Sequence, residues 1–461
     1  MRLKNEIKEL GYFWLPNSPE KKVFGTLLIS NGGNIELETM GLFDESIDGL
    51  NKLLNTSDPI ERIVGQTEGH GLVTLDDCFY KTKNISFGGV SKTIIYVGMV
   101  LFKASYDEGE KVNFNTYRFS IEGIDEWLGI SGIKVDSQFT GRTSTITYKP
   151  PEDISIDISN GMKLIITFTC TLPFFSPLNK AKVTQKAYFK LVSEEERPID
   201  EFISLTYKII TLLSFAVDQM VCIERVSATL DSFLQNNSNG KGNPVSIPIY
   251  YRSLPFVKES TKIDKDLMLF RYDHIRDNAE LIFNNWFNAY ESIDPALNLY
   301  FTMKTGAHKY LEGKFLALVQ GLETYHRRTS SKKLMADEDY QQLMQSIVEK
   351  CPIESKDWLI GRLCHGNEIS LSQRIKAIIE PFKMLVGTSK ERSRLIRHIV
   401  NARNYLTHYD KSLEAEEYDL WVLCQRMEAI FQLHLLKVVG FSNDEVISIF
   451  KNSDKLQFKL K

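Results

Sequence analysis

Two hydrophobic periodicities divide this chain, and the change from one to the other is what most limits the folds open to it. Up to about residue 195, short runs of β-branched and aromatic residues alternate with Gly, Asn, Asp or Pro. Val23–Ile29 leads into Asn31-Gly32-Gly33-Asn34 and resumes as Ile35–Glu38, and Ile154–Ile158 and Leu164–Phe168 flank Asn160-Gly161 in the same way. Each reads as a β-hairpin, because its turn is made of residues that tolerate positive φ. Thr93–Phe102, Tyr117–Ile121 and Ser144–Tyr148 read as further strands. Many short strands at this spacing predict a sandwich or barrel rather than βαβ units. A helix is expected over 198–217, opened by Pro198 and Asp200, then a flexible linker at Asn236–Pro244 and a strand at Val245–Tyr251.

Beyond about residue 260 the apolar residues recur at helical spacing, over Asp266–Tyr290, His308–Arg328, Asp337–Lys350, Lys390–Tyr409 and Leu413–Val438. Leu311, Phe315, Leu318, Leu322 and Tyr325 form one stripe, and Leu395, Ile399, Ala402 and Leu406 another. The expectation is an α+β multidomain protein, with a β-rich region over 1–255 and an all-α region over 256–461. With 43% apolar and 25% charged residues, the chain has the composition of a globular protein with a substantial core. Its two most apolar stretches, Ile94–Phe102 and Ile209–Val217, are far shorter than the roughly 20 residues a membrane span needs. The start, MRLKNEIKELGYFW, lacks the apolar centre of a signal peptide. A soluble, cytoplasmic protein with no membrane partner is expected. Trp14, Trp127 and the many Tyr and Phe are read as core residues.

Several chemistries are poorly served. There is no GxxxxGK[ST], GxGxxG, GxSxG or HExxH. The six cysteines are scattered with no CxxC pair, and Cys364-His365 near Cys351 lacks a second pair of ligands, so neither a disulfide scaffold nor a zinc module is indicated. Gly69-His70-Gly71 reads as a turn.

One segment does carry chemistry. The whole chain has a net charge of −3, yet between Pro381 and Lys411 seven Lys/Arg face only Glu391 and Asp410. Such a patch attracts phosphates, although charge runs are more often solvated helix faces. Within it, Arg403 and His408 are separated by four residues. An imidazole titrating near neutrality can take the proton of a ribose 2′-hydroxyl or protonate the leaving oxygen. A guanidinium presents a fork of donors to the phosphate and its developing charge. This scheme leaves a cyclic phosphate and a 5′-hydroxyl, and it needs no metal and no cofactor. On a straight helix, five positions separate the two side chains by about 140° and 7.5 Å. The reach of Arg, a helix distortion or a second copy of the motif must then bring them together. An Arg four to six residues ahead of a His arises by chance about once in a chain like this, and Arg392…His398 is a second match. Of these two matches, only Arg403…His408 has Asn, Asp or His directly after the Arg.

RNxxxH on a late helix of an α bundle resembles the motif of HEPN ribonucleases of bacterial toxins and anti-phage abortive-infection proteins. Gly11-Tyr12-Phe13-Trp14-Leu15-Pro16, Val23–Leu27 and Ile63–Cys78 resemble the N-terminal domain of ApeA-type defence proteins, and Phe315–Arg327 resembles the first helix of their HEPN domain, whose core is placed at about 306–440. The resemblance implies an infection-triggered endoribonuclease acting on tRNA or mRNA. His408 would be the general acid/base, Arg403 the phosphate or transition-state residue, and Asn404 a residue orienting the His or touching RNA. Arg394 and Arg397 would contact the RNA backbone, and His398 would flank the patch. It implies a homodimer with a composite site, and a sensor or regulatory role for the N-terminal region, with a phage-derived trigger. Some HEPN relatives add an acidic residue from the first helix. Glu323 is the candidate, with ion pairing to Arg327 as its competing role, and His326 shares its helix face. The alternatives are a HEPN module that binds RNA or a nucleotide phosphate without cutting, and a structural module in which the motif only anchors helices.

Overall fold

The computed structural model describes residues 1–43, 59–84, 86, 89–138, 140–141, 143–173, 179–236, 242–260, 262–408 and 419–461. The chain forms two compact units, Met1–Asn284 and Asn285–Lys461. Residues 256–284, expected with the helices, belong to the first.

The first unit is β-rich. Strands β1 (Ile7–Trp14), β2 (Val23–Ser30), β3 (Asn34–Met40), β4 (Pro59–Thr67), β5 (Gly71–Asn84) and β6 (Lys92–Phe102) are antiparallel in the order β6-β3-β2-β1-β4-β5, and β5 pairs back to β6 to close a six-stranded barrel. Val23–Ile29 looks uniformly apolar in the sequence, yet alternate residues of β2 point inward. With Phe13, Ile35, Leu37, Ile63, Val73, Leu75, Ile95 and Val97 they fill the barrel. The β2–β3 turn needs glycine at residue 33: φ is +74°, and a Cβ would lie 2.2 Å from the Tyr251 carbonyl oxygen. Gly69-His70-Gly71 closes the β4–β5 hairpin, with His70 Nδ1 3.0 Å from Glu9 Oε1.

The sheet continues from β6 outside the barrel. β7 (Asn113–Ile121), β8 (Ile133–Gln138), β9 (Thr143–Tyr148), β10 (Ile154–Asp157), β11 (Lys163–Thr171), β12 (Thr184–Pro198), β13 (Ile223–Thr229), β14 (Leu234–Asn236), β15 (Gly242–Pro244) and β16 (Ile247–Tyr251) complete the described strands. β8–β9 and β14–β15 are separate ribbons, and the extension runs β6-β16-β13-β7-β12-β11-β10. The helix Ile199–Ala216 follows β12 directly at Pro198 and packs on β7 and β12, where Phe202 stacks on Tyr117 at 5.6 Å. Trp127 is buried as expected, whereas Trp14 is only half-buried beneath the Lys22 ammonium. Residues 237–241 of the expected linker lie outside the described residues.

The helix expected over Asp266–Tyr290 is broken. It becomes turns at Lys265–Leu267 and Arg276–Asn278, one helical turn at Tyr272–Ile275, and a helix Ala279–Ser292. The amides of Leu269 and Phe270 donate to the Ala216 carbonyl, at the end of the preceding long helix, instead of to a helical partner. That tertiary bond overrides the local periodicity.

In the second unit, helices Asp294–Lys304, Leu311–Thr329, Leu371–Ile379, Ser389–His408 and Leu420–Val439 build the core, and Asn443–Asn452 and Asp454–Leu460 pack on Leu420–Val439. Leu420–Val439 is buried nearly all round, through Leu423, Met427, Ile430, Phe431, Leu433, Leu436 and Val439. A buried carboxylate in it, Glu428, accepts from Lys304 Nζ and Lys459 Nζ, both at 2.8 Å. The first part of the helix expected over Leu413–Val438 lies outside the described residues, as do Tyr409, Asp410 and Lys411. Among the described residues no helix is long and apolar enough to cross a membrane.

Candidate active site

The helix carrying Arg403 and His408 starts where its sequence says it should. Thr388 and Glu391, spaced as Thr-x-x-Glu, form a capping box: Thr388 N and Oγ1 donate to Glu391 Oε2 at 2.7 and 2.8 Å, and Glu391 N donates to Thr388 Oγ1 at 3.3 Å. The Thr388 amide and hydroxyl hold the Glu391 carboxyl below its usual range. Arg392 Nη1 donates to the carbonyls of Gly387 and Lys383, so this cation ties down the turn before the helix. Leu395, Ile399 and Ala402 are buried, against Leu311–Thr329, Leu371–Ile379 and Leu420–Val439.

From Ser389 to His408 the helix is unbroken, so no distortion brings Arg403 and His408 together. Helical geometry gathers Arg394, Arg397, Asn401, Asn404 and His408 within a sector of about 80°, while Arg403 lies about 140° from His408 at the margin of the apolar stripe. Burial follows this arrangement. Arg394, Arg397 and His408 are exposed, and Arg403 is half-buried. Asn404 spans the two faces: Arg403 Nη1 donates to its Oδ1 at 3.2 Å. Thr407 Oγ1 donates to the Arg403 carbonyl at 2.7 Å. His408, in the last turn, makes no side-chain hydrogen bond among the described residues.

Glu323 sits elsewhere. Its Oε1 accepts from Arg327 Nη2 at 3.1 Å, the competing role foreseen for it, and lies 4.0 Å from Arg374 Nε on Leu371–Ile379. No hydrogen bond joins it to Arg403, Asn404 or His408 among the described residues. Arg327 also pairs with Glu368, and Arg374 Nη2 donates to Glu368 Oε2 at 3.0 Å. Arg374 Nη1 is 3.4 Å from His326 Nδ1, with both side chains buried. Burial, then the neighbouring Arg374, pushes the His326 pKa down, so Nδ1 is the acceptor of a neutral ring. Face sharing along Leu311–Thr329 put Glu323 beside His326 correctly, but gave no sign that Arg374 and Glu368 complete the cluster. They come from another part of the chain, and no spacing rule connects them.

The family model for ApeA N-terminal domain 1 matches residues 8–286, more than half of the chain, and that for Apea-like HEPN matches residues 316–445. No curated protein matches the chain, and no solved structure does.

Proposed function

Since this chain belongs to the ApeA family, with an ApeA N-terminal domain followed by a HEPN domain, we propose that it is an anti-phage endoribonuclease whose site is built by Arg403 and His408. The HEPN match supports a defence-related nuclease module. The observation that carries the residue assignment is the division of labour on the motif helix. His408 is exposed on one polar face with Arg394 and Arg397, while Arg403 is half-buried and braced by Asn404.

In this reading Arg394 and Arg397 hold the RNA backbone and Arg403 binds the scissile phosphate. His408 removes the 2′-hydroxyl proton. The P–O2′ bond forms as P–O5′ breaks, and water protonates O5′. No metal enters the scheme. Because one helix keeps Arg403 and His408 on different faces, the site takes its second half from another copy of the chain, in a homodimer. Asn404 is a positioning residue, acting through Arg403. Glu323 contributes by holding Arg327 and Arg374. Activity is expected to rise when infection supplies a trigger to the N-terminal region.

The test is cleavage of a tRNA and mRNA pool by purified protein in EDTA, before and after adding lysate from phage-infected cells, with product ends mapped. Cyclic-phosphate ends that vanish in His408→Ala and Arg403→Ala support the reading. Mixing the two inactive variants should restore about one quarter of wild-type activity, because half of the dimers regain one complete site of two. Unchanged cleavage by correctly folded variants would refute it. Salt-sensitive RNA binding without any product, with and without infected lysate, would favour the non-catalytic module.

A further inference from the structure

We propose that the outer face of the extended sheet in the first unit binds a phosphorylated small molecule of nucleotide size that carries two or more phosphates. The inference comes from strand alternation. Along β7, β12 and β13 one set of side chains faces inward and is buried: Tyr117 and Phe119, Phe189 and Leu191, Val226 and Ala228. The intervening set on the opposite face carries the cations Arg118, Lys190 and Arg225 beside Thr116, Tyr188 and Ser227. Lys190 pairs with Arg118, which pairs with Ser227, which pairs with Pro248, in a line straight across four strands. Lys186 and Arg225 lie on the same face by the two-residue period.

This face is concave. A cavity of about 830 Å³ is rimmed by six basic residues, Arg2, Lys4, Arg118, Lys182, Lys186 and Arg225, against one acidic residue, Glu224. Lys190 lines an adjoining hollow of about 390 Å³ that shares Arg118. The local carboxylates are already engaged: Lys186 lies 2.8 Å from Glu224 and 3.4 Å from Asp125, and Arg2 lies 2.7 Å from Glu122. Lys4, Arg118, Lys182 and Arg225 have no carboxylate partner among the described residues. Two of these cations converge on one ring. The Arg118 guanidinium stands 3.8 Å from the Tyr188 centroid, and Arg225 Nη1 donates to the Tyr188 hydroxyl at 3.5 Å. Arg118 Nε is buried with no hydrogen-bond partner among the described residues. Gathering like charges in a half-enclosed site is unfavourable until an anion lies between them, and forked guanidinium donors match phosphate oxygens.

The volume falls in the range of small-molecule pockets. The spread of cations around the rim fits several phosphates better than one. A single-stranded nucleic acid would instead seek aromatic faces for its bases, and the Tyr188 face is covered by Arg118.

The experiment is calorimetric titration of the full chain at low ionic strength with ATP, tripolyphosphate, AMP and a short single-stranded DNA. ATP is expected to bind, and AMP to bind at least about tenfold more weakly through the loss of charge-assisted contacts. Equal affinity for tripolyphosphate and ATP would assign recognition to the phosphates alone, and tighter ATP binding would add the nucleoside. Lys182→Glu and Arg225→Gln, both at exposed side chains, should each weaken ATP at least about tenfold. Lys21→Glu, an exposed lysine outside the cavity, should leave it unchanged. No binding of ATP or tripolyphosphate, AMP as tight as ATP, equal loss in Lys21→Glu, or a preference for the DNA would each overturn the proposal.

Discussion

Mild acid should loosen the helical unit through one histidine that the proposed chemistry does not use. His434 lies inside Leu420–Val439, where its Nε2–H donates to the Ile378 carbonyl at 2.8 Å, and the rings of Tyr325 and Phe382 flank it at 5.0 and 4.9 Å. Burial is the main cause that lowers its pKa from 6.5 to about 4, and Lys437 and His326 add smaller pushes in the same direction. The folded state therefore resists a proton that the unfolded state accepts. Stability is complete above pH 6.5 and falls as the pH drops from there toward 4. Linkage over that shift gives a loss of about 2 kcal/mol between pH 7 and pH 5, and about 3 kcal/mol by pH 4. Hydrogen exchange of the Leu420–Val439 amides, corrected for intrinsic rates, measures it locally. His434→Gln keeps a neutral donor for Ile378 and cannot titrate, so between pH 7 and 5 it should lose about 2 kcal/mol less than the wild type. Equal losses in the two proteins would refute the reasoning. The result also bears on function, because an acid limb in RNA cleavage reports on the reaction only where this helix is still protected from exchange.

Glu428 is the shared counter-charge of Lys304 and Lys459, and its side chain and that of Lys459 are 5% and 6% exposed. Glu428→Ala strands a buried ammonium, and denaturant unfolding should show a loss of about 3–5 kcal/mol. Glu323→Gln breaks a partly exposed i,i+4 pair, so stability should fall by less than about 1 kcal/mol, with the pH profile of RNA cleavage unchanged. A collapsed rate with an altered profile would put Glu323 at the reacting phosphate.

Local rules reached a long way into this chain. Turn chemistry placed the β2–β3 and β10–β11 hairpins, and apolar spacing gave the start of the motif helix to within a residue. The sequence also determined which residues of that helix share a face, because the α-helical period alone puts Arg394, Arg397, Asn404 and His408 together and Arg403 apart. Periodicity says that a face will be covered, but not by what. Closure of the barrel by β5 on β6, the breaking of the helix after Asp266 by the Ala216 carbonyl, the Glu323–Arg374–Glu368 cluster and the basic hollow around Arg118 all join residues distant along the chain. Only the tertiary structure decided them, because long-range pairing depends on which faces meet in space, and no spacing within one element records that choice.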